Sequence, residues 1–312
     1  MMTVNEFKKL NDTFTKKIVF RIGIDAGFFS EFNNMILTIH YCLANEIKFV
    51  LNSKDANFSF KKGWQDFFMP FCQEDNFALH KFFNSRLAKP NIAKKRDKVR
   101  NFFYQKYLNI TGVDFLTYQI LPVARKQNSN TKQKILLPGL YGDLFTNCRI
   151  ITEMIWHFQP SILKEIEKIV SSITLPEQYV SFHVRRGDKS IESDFIPLEN
   201  YISKAEKSTK IRSAFISTDD YSIYIELCSQ FKNWTFYTLC DPSKQGYFQN
   251  EFDHKKPNWK KNELIDFFSS IDLLSKANFC FGTYTSNVGM FLALRMPKGK
   301  FIGVDYDNWS VW

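Results

Sequence analysis

The stretch that most constrains this chain is YVSFHVRRGDK at 179–189. The run Tyr179-Val180-Ser181-Phe182-His183-Val184, rich in aromatic and β-branched residues, breaks abruptly into Arg185, Arg186, Gly187, Asp188 and Lys189. A buried strand delivers charge to the carboxyl edge of a sheet in this way. In an open α/β sheet, ligands bind at that edge. Two adjacent arginines cannot both turn inward without partners, because an unpaired buried guanidinium is costly. Asp188 is one candidate partner and a bound anion is the other. Arginine's planar fork suits phosphate oxygens, so a nucleotide pyrophosphate is the first expectation. A surface salt-bridge cluster at a strand end is the competing reading.

At 312 residues the chain exceeds the usual single-domain size, so two domains are expected, 1–175 and 176–312. With 44% hydrophobic and 24% charged residues and no low-complexity tract, the whole chain should fold. Lys+Arg 42 against Asp+Glu 32 leaves +10, which favours phosphorylated ligands, anionic membrane surfaces or nucleic acid without choosing among them. The 33 phenylalanines are spread along the chain, so core filling explains them better than base stacking does. Cys42, Cys72, Cys148, Cys228, Cys240 and Cys280 form no CxxC pair and have no histidine at metal-ligand spacing, so reduced core thiols are expected. The amino terminus has no apolar signal region, and no window approaches the roughly 18 apolar residues that span a bilayer. A cytoplasmic protein, at most peripheral to the inner membrane, follows.

The second half alternates regularly: strand 179–184, helix near 197–207, strand 213–217, helix 221–230, strand 234–238, a long polar loop, helix 262–276, strand 278–282, helix 286–295 and strand 300–304. Strands separated by helices of this length form βαβ units and a parallel sheet, so a Rossmann-type domain is expected here. Neither GxGxxG nor the P-loop pattern is present. The first half opens with a strand near 17–24, a turn at Asp25-Ala26-Gly27, a helix that Ser30 could cap, and a strand at 47–51. The Gly27 loop could present backbone N–H groups to a sugar or phosphate, against the plainer reading of an ordinary turn. The segment 148–173 has helical periodicity broken at Pro160, giving two helices that close the first half.

Four strand-end clusters fall on one edge of the expected second sheet: 183–189, Ser217-Thr218-Asp219-Asp220, 239–241 and Thr283-Tyr284-Thr285-Ser286-Asn287. The last is rich in hydroxyls and opens a helix, whose amino end binds phosphate through free N–H groups and the positive dipole end. Asp219 and Asp220 read equally well as ligand contacts or as a helix cap.

Taken together, FHVRRGDK, Glu192 followed by FIPLENY at 195–201, STDD at 217–220 and LLSKANFCFGTYTSNVG at 273–289 resemble, in order, the α1,6-fucosyltransferases: the eukaryotic core enzyme and the rhizobial nodulation enzyme. The 23–34 loop, Tyr41-Cys42, Gly63-Trp64 and Pro70 add a weaker match, so the resemblance spans about 17–295. The HxRRxD core is shared with α1,2-fucosyltransferases and, more distantly, protein O-fucosyltransferases. The resemblance implies a two-lobed GT-B-like fold with a C-terminal Rossmann-type nucleotide-binding domain and a first half on the acceptor side. It implies inverting, metal-independent transfer of fucose from GDP-fucose to a glycan, with no cofactor. Carried over by position, Arg185 meets the β-phosphate, His183 lies near the guanine, Ser286 with Thr285 and Asn287 binds phosphate, and Glu192 is the base. Placing Glu192 needs a one-residue deletion after Lys189, which leaves Asp194 as a competitor for that role.

The family's guanine-reading aspartate aligns with Ser270, while Asp266 and Asp272 stand four residues before and two after it. A carboxylate suits the two donors of guanine's N1–H and N2 amine, and Asp272 is the expectation. Asp305-Tyr306-Asp307 matches the metal-binding DxD of other glycosyltransferases, but its place after the last strand suits a solvated turn. The expected partners are GDP-fucose and a glycan acceptor, which a lipid could carry, with no nucleic acid. The rival readings are an α1,2 linkage on a surface polysaccharide or lipopolysaccharide and, from another class, a non-catalytic basic module binding anionic lipid or nucleic acid.

Overall fold

A computed structural model describes residues 2–85, 95–128, 135–137, 139–187 and 195–310. Asp188, Lys189, Glu192 and Asp194 lie outside the described residues. The chain forms two compact units that divide between His157 and Phe158.

The first unit runs α1 (Val4–Asn11), β1 (Lys16–Arg21), α2 (Phe28–Ala44), β2 (Ile47–Asn52), α3 (His80–Phe83), α4 (Lys95–Thr111), β3 (Phe115–Leu116), α5 (Thr117–Asn128), β4 (Ile135–Leu137), β5 (Leu140–Gly142) and α6 (Leu144–Ile155). Its main sheet is parallel in the order β2-β1-β3. The expected strand-helix-strand unit is present, but the helix begins earlier than Ser30. Gly27 occupies the cap position and Phe28 is already helical, so Ser30 lies inside the first turn. Phenylalanine fills this core as expected: Trp64 stacks on Phe68 at 4.3 Å, and Phe32 and Trp156 meet edge to face at 5.3 Å.

The second unit runs α7 (Pro160–Val170), β6 (Val180–Val184), α8 (Leu198–Ser208), β7 (Ser213–Thr218), α9 (Tyr221–Gln230), β8 (Thr235–Thr238), α10 (Gln249–His254), α11 (Pro257–Lys276), β9 (Phe279–Gly282), α12 (Asn287–Arg295) and β10 (Phe301–Gly303). The sequence boundary was expected near 175, whereas α7 groups with this second unit. Its buried Ile162 and Ile166 lie on a helix packed against α11, Phe158 meets Phe268 at 5.4 Å, and Lys261 reaches Glu165 at 3.0 Å. Pro160 starts α7, where its missing N–H removes no helical bond.

The sheet has five parallel strands in the order β10-β9-β6-β7-β8. β6 is central and buried throughout, which its apolar run requires. Val180, Phe182 and Val184 share one face and pack with Leu198, Ala205, Ile216, Leu227 and Phe281. Burying Phe182 fully contributes about 2–3 kcal/mol. The alternate residues, Ser181 and His183, point to the other face, where Ser181 Oγ donates to the Leu274 carbonyl of α11 at 3.0 Å. From β6 the chain winds outward through β7 to β8, then returns to β9 on the opposite side of β6. The direction of winding therefore reverses between β6 and β9, and a crevice at the carboxyl ends of strands opens at such a reversal.

Candidate functional site

His183, the fourth residue of β6, is 4% exposed. It stands beside Gly282 of β9, where an added Cβ would lie 3.5 Å from the His183 Cβ. Burial first, and the Arg185 charge second, push the imidazole down to about 3, so it is neutral at physiological pH. Its Nδ1 has no hydrogen-bond partner among the described residues. An orphaned buried nitrogen costs free energy that a bound polar group would recover.

Past the strand end, Asp219 ties two loops together. Its Oδ1 accepts the Arg186 N–H at 2.7 Å and its Oδ2 accepts the Tyr247 N–H at 3.1 Å. The Arg185 guanidinium stands 3.2 Å from the same Oδ2. The Asp219 carbonyl accepts the Gly246 N–H at 2.8 Å. Glycine is required at both contact points: a Cβ on Gly187, at φ +56, would lie 2.3 Å from the Tyr247 carbonyl oxygen, and one on Gly246, at φ +110, would lie 2.9 Å from the Gly187 Cα. Arg185 stacks its guanidinium 4.8 Å from the centre of the Tyr247 ring, while Arg186 turns to Phe195 at 4.6 Å. The two arginines of the motif therefore have different surroundings. Asp219 braces the loop that carries Arg185, and Asp220 caps α9 by accepting the Ser222 N–H at 2.9 Å.

Across the reversal, β9 ends at Gly282 and Ser286 caps α12, its Oγ accepting the Gly289 N–H at 2.9 Å. Gly289 has no room for a side chain, since a Cβ would lie 2.0 Å from the Thr283 carbonyl oxygen. Asn287, the first helical residue, is exposed. Thr285 donates its hydroxyl and its N–H to Asp305 Oδ2, both at 2.9 Å, and the Tyr284 N–H reaches Asp305 Oδ1 at 2.8 Å. Asp305 is thus the clamp of the hydroxyl-rich loop, while Tyr306 and Asp307 are exposed as a solvated turn requires, Asp307 pairing with Lys204 at 3.2 Å. Among the described residues no group of three or more His, Cys, Asp or Glu is arranged to hold a metal ion.

The structure brings His183, Arg185, Asp219, Asp220, Thr285, Ser286 and Asn287 to the carboxyl edge of one sheet. Asp272 is not among them. It lies in the last turns of α11 with Lys276 at 2.6 Å, and its neighbour Leu273 accepts the Tyr179 hydroxyl at 2.8 Å. Tyr179 precedes β6, so Asp272 belongs to the amino-terminal side of the sheet. The expectation fails because α11 runs antiparallel to the strands, so each step towards its carboxyl end leads away from the ligand edge. Asp266 lies about 9 Å further up the helix by its rise per residue, within the electrostatic reach of Lys244, Glu263 and Asp241. Tyr247 and Asp305 escaped the sequence reading. Gly246 just before an aromatic residue was the only signal for the first, and the place of the second after the last strand pointed to a solvated turn and not to a brace.

Gly27 belongs to the first unit, where its carbonyl accepts the Ser30 and Glu31 N–H groups. Glu31 is buried, and its carboxyl group accepts from the backbone of Gly23, Ile24 and Asp25. Burial and the Asp25 charge outweigh those bonds and push it up to about 7.

No protein-family model matches the chain, and no curated protein matches it in sequence. Solved structures do. NodZ alpha-1,6-fucosyltransferase soaked with GDP-fucose is 13% identical over 91% of this chain and 94% of its own, with a TM-score of 0.51. The chain has the fold of the fucosyltransferases. Fucosyltransferase NodZ from Bradyrhizobium gives 13% identity over 91% and 94%, with a TM-score of 0.50. POFUT1 in complex with GDP gives 10% over 92% and 97%, again at 0.50. At these identities the likeness is one of fold: mixed α/β with parallel sheets, GT-B-like, extending over both units.

Proposed function

We propose that this chain transfers fucose from GDP-fucose to a glycan hydroxyl, with inversion and without a metal, forming an α1,6-type linkage. The observation that carries the reading is Arg185, held at the end of the central strand on the ligand edge that also bears His183 and the amino end of α12. On this reading the second unit is a Rossmann-type GDP-sugar domain. The guanidinium and the helix end, equivalent to roughly half a positive charge, stabilise the diphosphate as it leaves. His183, neutral and buried, offers its unpartnered Nδ1 to the nucleotide. Asp266 replaces Asp272 as the acceptor for guanine's N1–H and N2 amine. The acceptor hydroxyl attacks the anomeric carbon from the face opposite GDP, and Glu192 or Asp194 takes its proton.

The acceptor is a glycan, on lipid or free, and the reaction is placed in the cytoplasm. Among the described residues no helix is long and apolar enough to cross a membrane. Incubation with GDP-fucose and a glycan panel, followed by NMR of the product, tests the reading: a fucosylated glycan and one GDP per transfer are expected. An α1,2 product would correct the linkage alone. A chain that releases no GDP, is not thermally stabilised by GDP, and instead binds anionic vesicles or RNA in a strongly salt-dependent way would be a basic binding module.

A further inference from the structure

The segment 244–248 belongs to no motif. It follows β8 and precedes α10, in what the sequence presents as an ordinary polar loop. It is nevertheless fastened to the Arg185 loop, directly by the near contact of Gly187 and Gly246 and indirectly through Asp219, which accepts the Tyr247 and Gly246 N–H groups as well as that of Arg186, while the Tyr221 N–H at the start of α9 holds the Lys244 carbonyl at 3.0 Å. The Tyr247 side chain is itself held. Its hydroxyl donates to Gln249 Oε1 at 2.8 Å, and its ring lies 5.9 Å from Phe252. The ring presents its face to Arg185 at 4.8 Å, while Asp219 meets the same guanidinium at 3.2 Å.

A long, partly buried arginine still has several rotatable bonds, and freezing them on binding weakens affinity. Stacking on a fixed ring while bonding a fixed carboxylate removes much of that freedom before the ligand arrives. We infer that Tyr247 is a positioning residue of the donor site, holding the Arg185 guanidinium in the orientation that receives the distal phosphate of a nucleoside diphosphate. The inference rests on the GDP-fucose reading above and adds to it the residue that pre-organises the cation. Tyr247 acts through Arg185, so its effect is confined to the phosphate that Arg185 meets.

That confinement is the test. Titration calorimetry with GDP and with GMP is carried out on the full chain and on Tyr247→Phe and Tyr247→Leu. Phenylalanine keeps the ring and should bind GDP within about twofold of the parent. Leucine loses the cation–π contact and should weaken GDP about tenfold while leaving GMP unchanged. Arg185→Ala should erase the preference for GDP over GMP, and adding Tyr247→Leu to it should change nothing further. If leucine does not fold at this position, Tyr247→Gln carries the same comparison, because the Asp219 bond comes from the backbone N–H. A Tyr247→Leu or Tyr247→Gln chain with the parent's ratio of GDP to GMP affinity overturns the inference. So does equal weakening of both nucleotides, which would mark a merely structural ring. A parent chain that binds no GDP would instead overturn the functional reading itself.

Discussion

β1 and β6 are the central strands of their sheets, and each ends on an apolar run followed by arginine: Ile18-Val19-Phe20-Arg21 in the first unit, Phe182-His183-Val184-Arg185 in the second. Arg21 has a side chain only 7% exposed, bonded to Asp55 at 2.7 Å, with Nη1 directed at the carbonyl oxygens of Lys81 and Asn84 at 3.5 and 3.4 Å. Arg185 has a side chain 26% exposed, on a looser carboxylate contact of 3.2 Å. The same local pattern thus produces a buried brace in one unit and an accessible cation in the other. Each edge also carries a buried titratable group, Glu31 in the first unit and His183 in the second, and their ionisation is displaced in opposite directions. An arginine at a strand end is therefore a site only where its guanidinium keeps a path to solvent and its neighbours leave polar atoms for a ligand.

The largest effects should come from removing the two arginines. Arg185→Ala should lower kcat/KM for fucose transfer by about 10³-fold, while chemical denaturation changes by less than about 1 kcal/mol. Arg21→Ala removes the buried guanidinium from the partly exposed Asp55 and from the Lys81 and Asn84 carbonyls and should destabilise the fold by about 2–3 kcal/mol, with turnover per folded molecule preserved. The opposite assignment of effects would break the comparison outright.

The pH dependence of stability sharpens it at intermediate size. Folded Glu31 keeps its proton to about 7, whereas the unfolded side chain loses it near 4.5, so its stabilisation is complete below 4.5 and is lost as the pH rises through 7. His183 runs the other way. Its folded value of about 3 lies below 6.5, so its stabilisation is complete above 6.5 and is lost as the pH falls towards 3. Urea titrations between pH 4.5 and 8 should show Glu31→Gln removing a decline of up to roughly 3 kcal/mol. His183→Asn should instead flatten the loss at acid pH. The smallest contrast lies between two caps: Ser286→Ala and Asp220→Ala should each cost about 1 kcal/mol in denaturation. Only the former should also weaken GDP binding, and equal weakening by both would remove α12 from the donor site.

Much of the second unit was legible from local pattern. The alternation of apolar runs with helical periods is repeated along the chain, and the observed strands of that half follow the expected spans closely, whereas α10 falls in the expected polar loop and α11 begins at Pro257, five residues before the expected start. The first unit was harder, because its sheet closes with a strand as short as β3, paired to β1 across a long sequence separation. At the site, the strand-end clusters were readable, since each is a break from apolar to polar residues at the end of a strand. The function of each carboxylate was not.

By itself, the sequence determined that the second half forms a parallel sheet, that 183–187 stands at its carboxyl edge, and that a hydroxyl-rich helix start lies on the same edge. These follow from periods of two and of 3.6 residues, which are properties of neighbours along the chain. Only the tertiary structure decided that Arg185 stays accessible while Arg21 is sealed, that Asp219 and Asp305 brace loops, and that Asp272 faces away from the ligand edge. It also decided that Tyr247 meets Arg185. Each of those outcomes depends on the partner a charge or ring finds across space, and that partner is supplied by a segment whose spacing along the chain carries no signal.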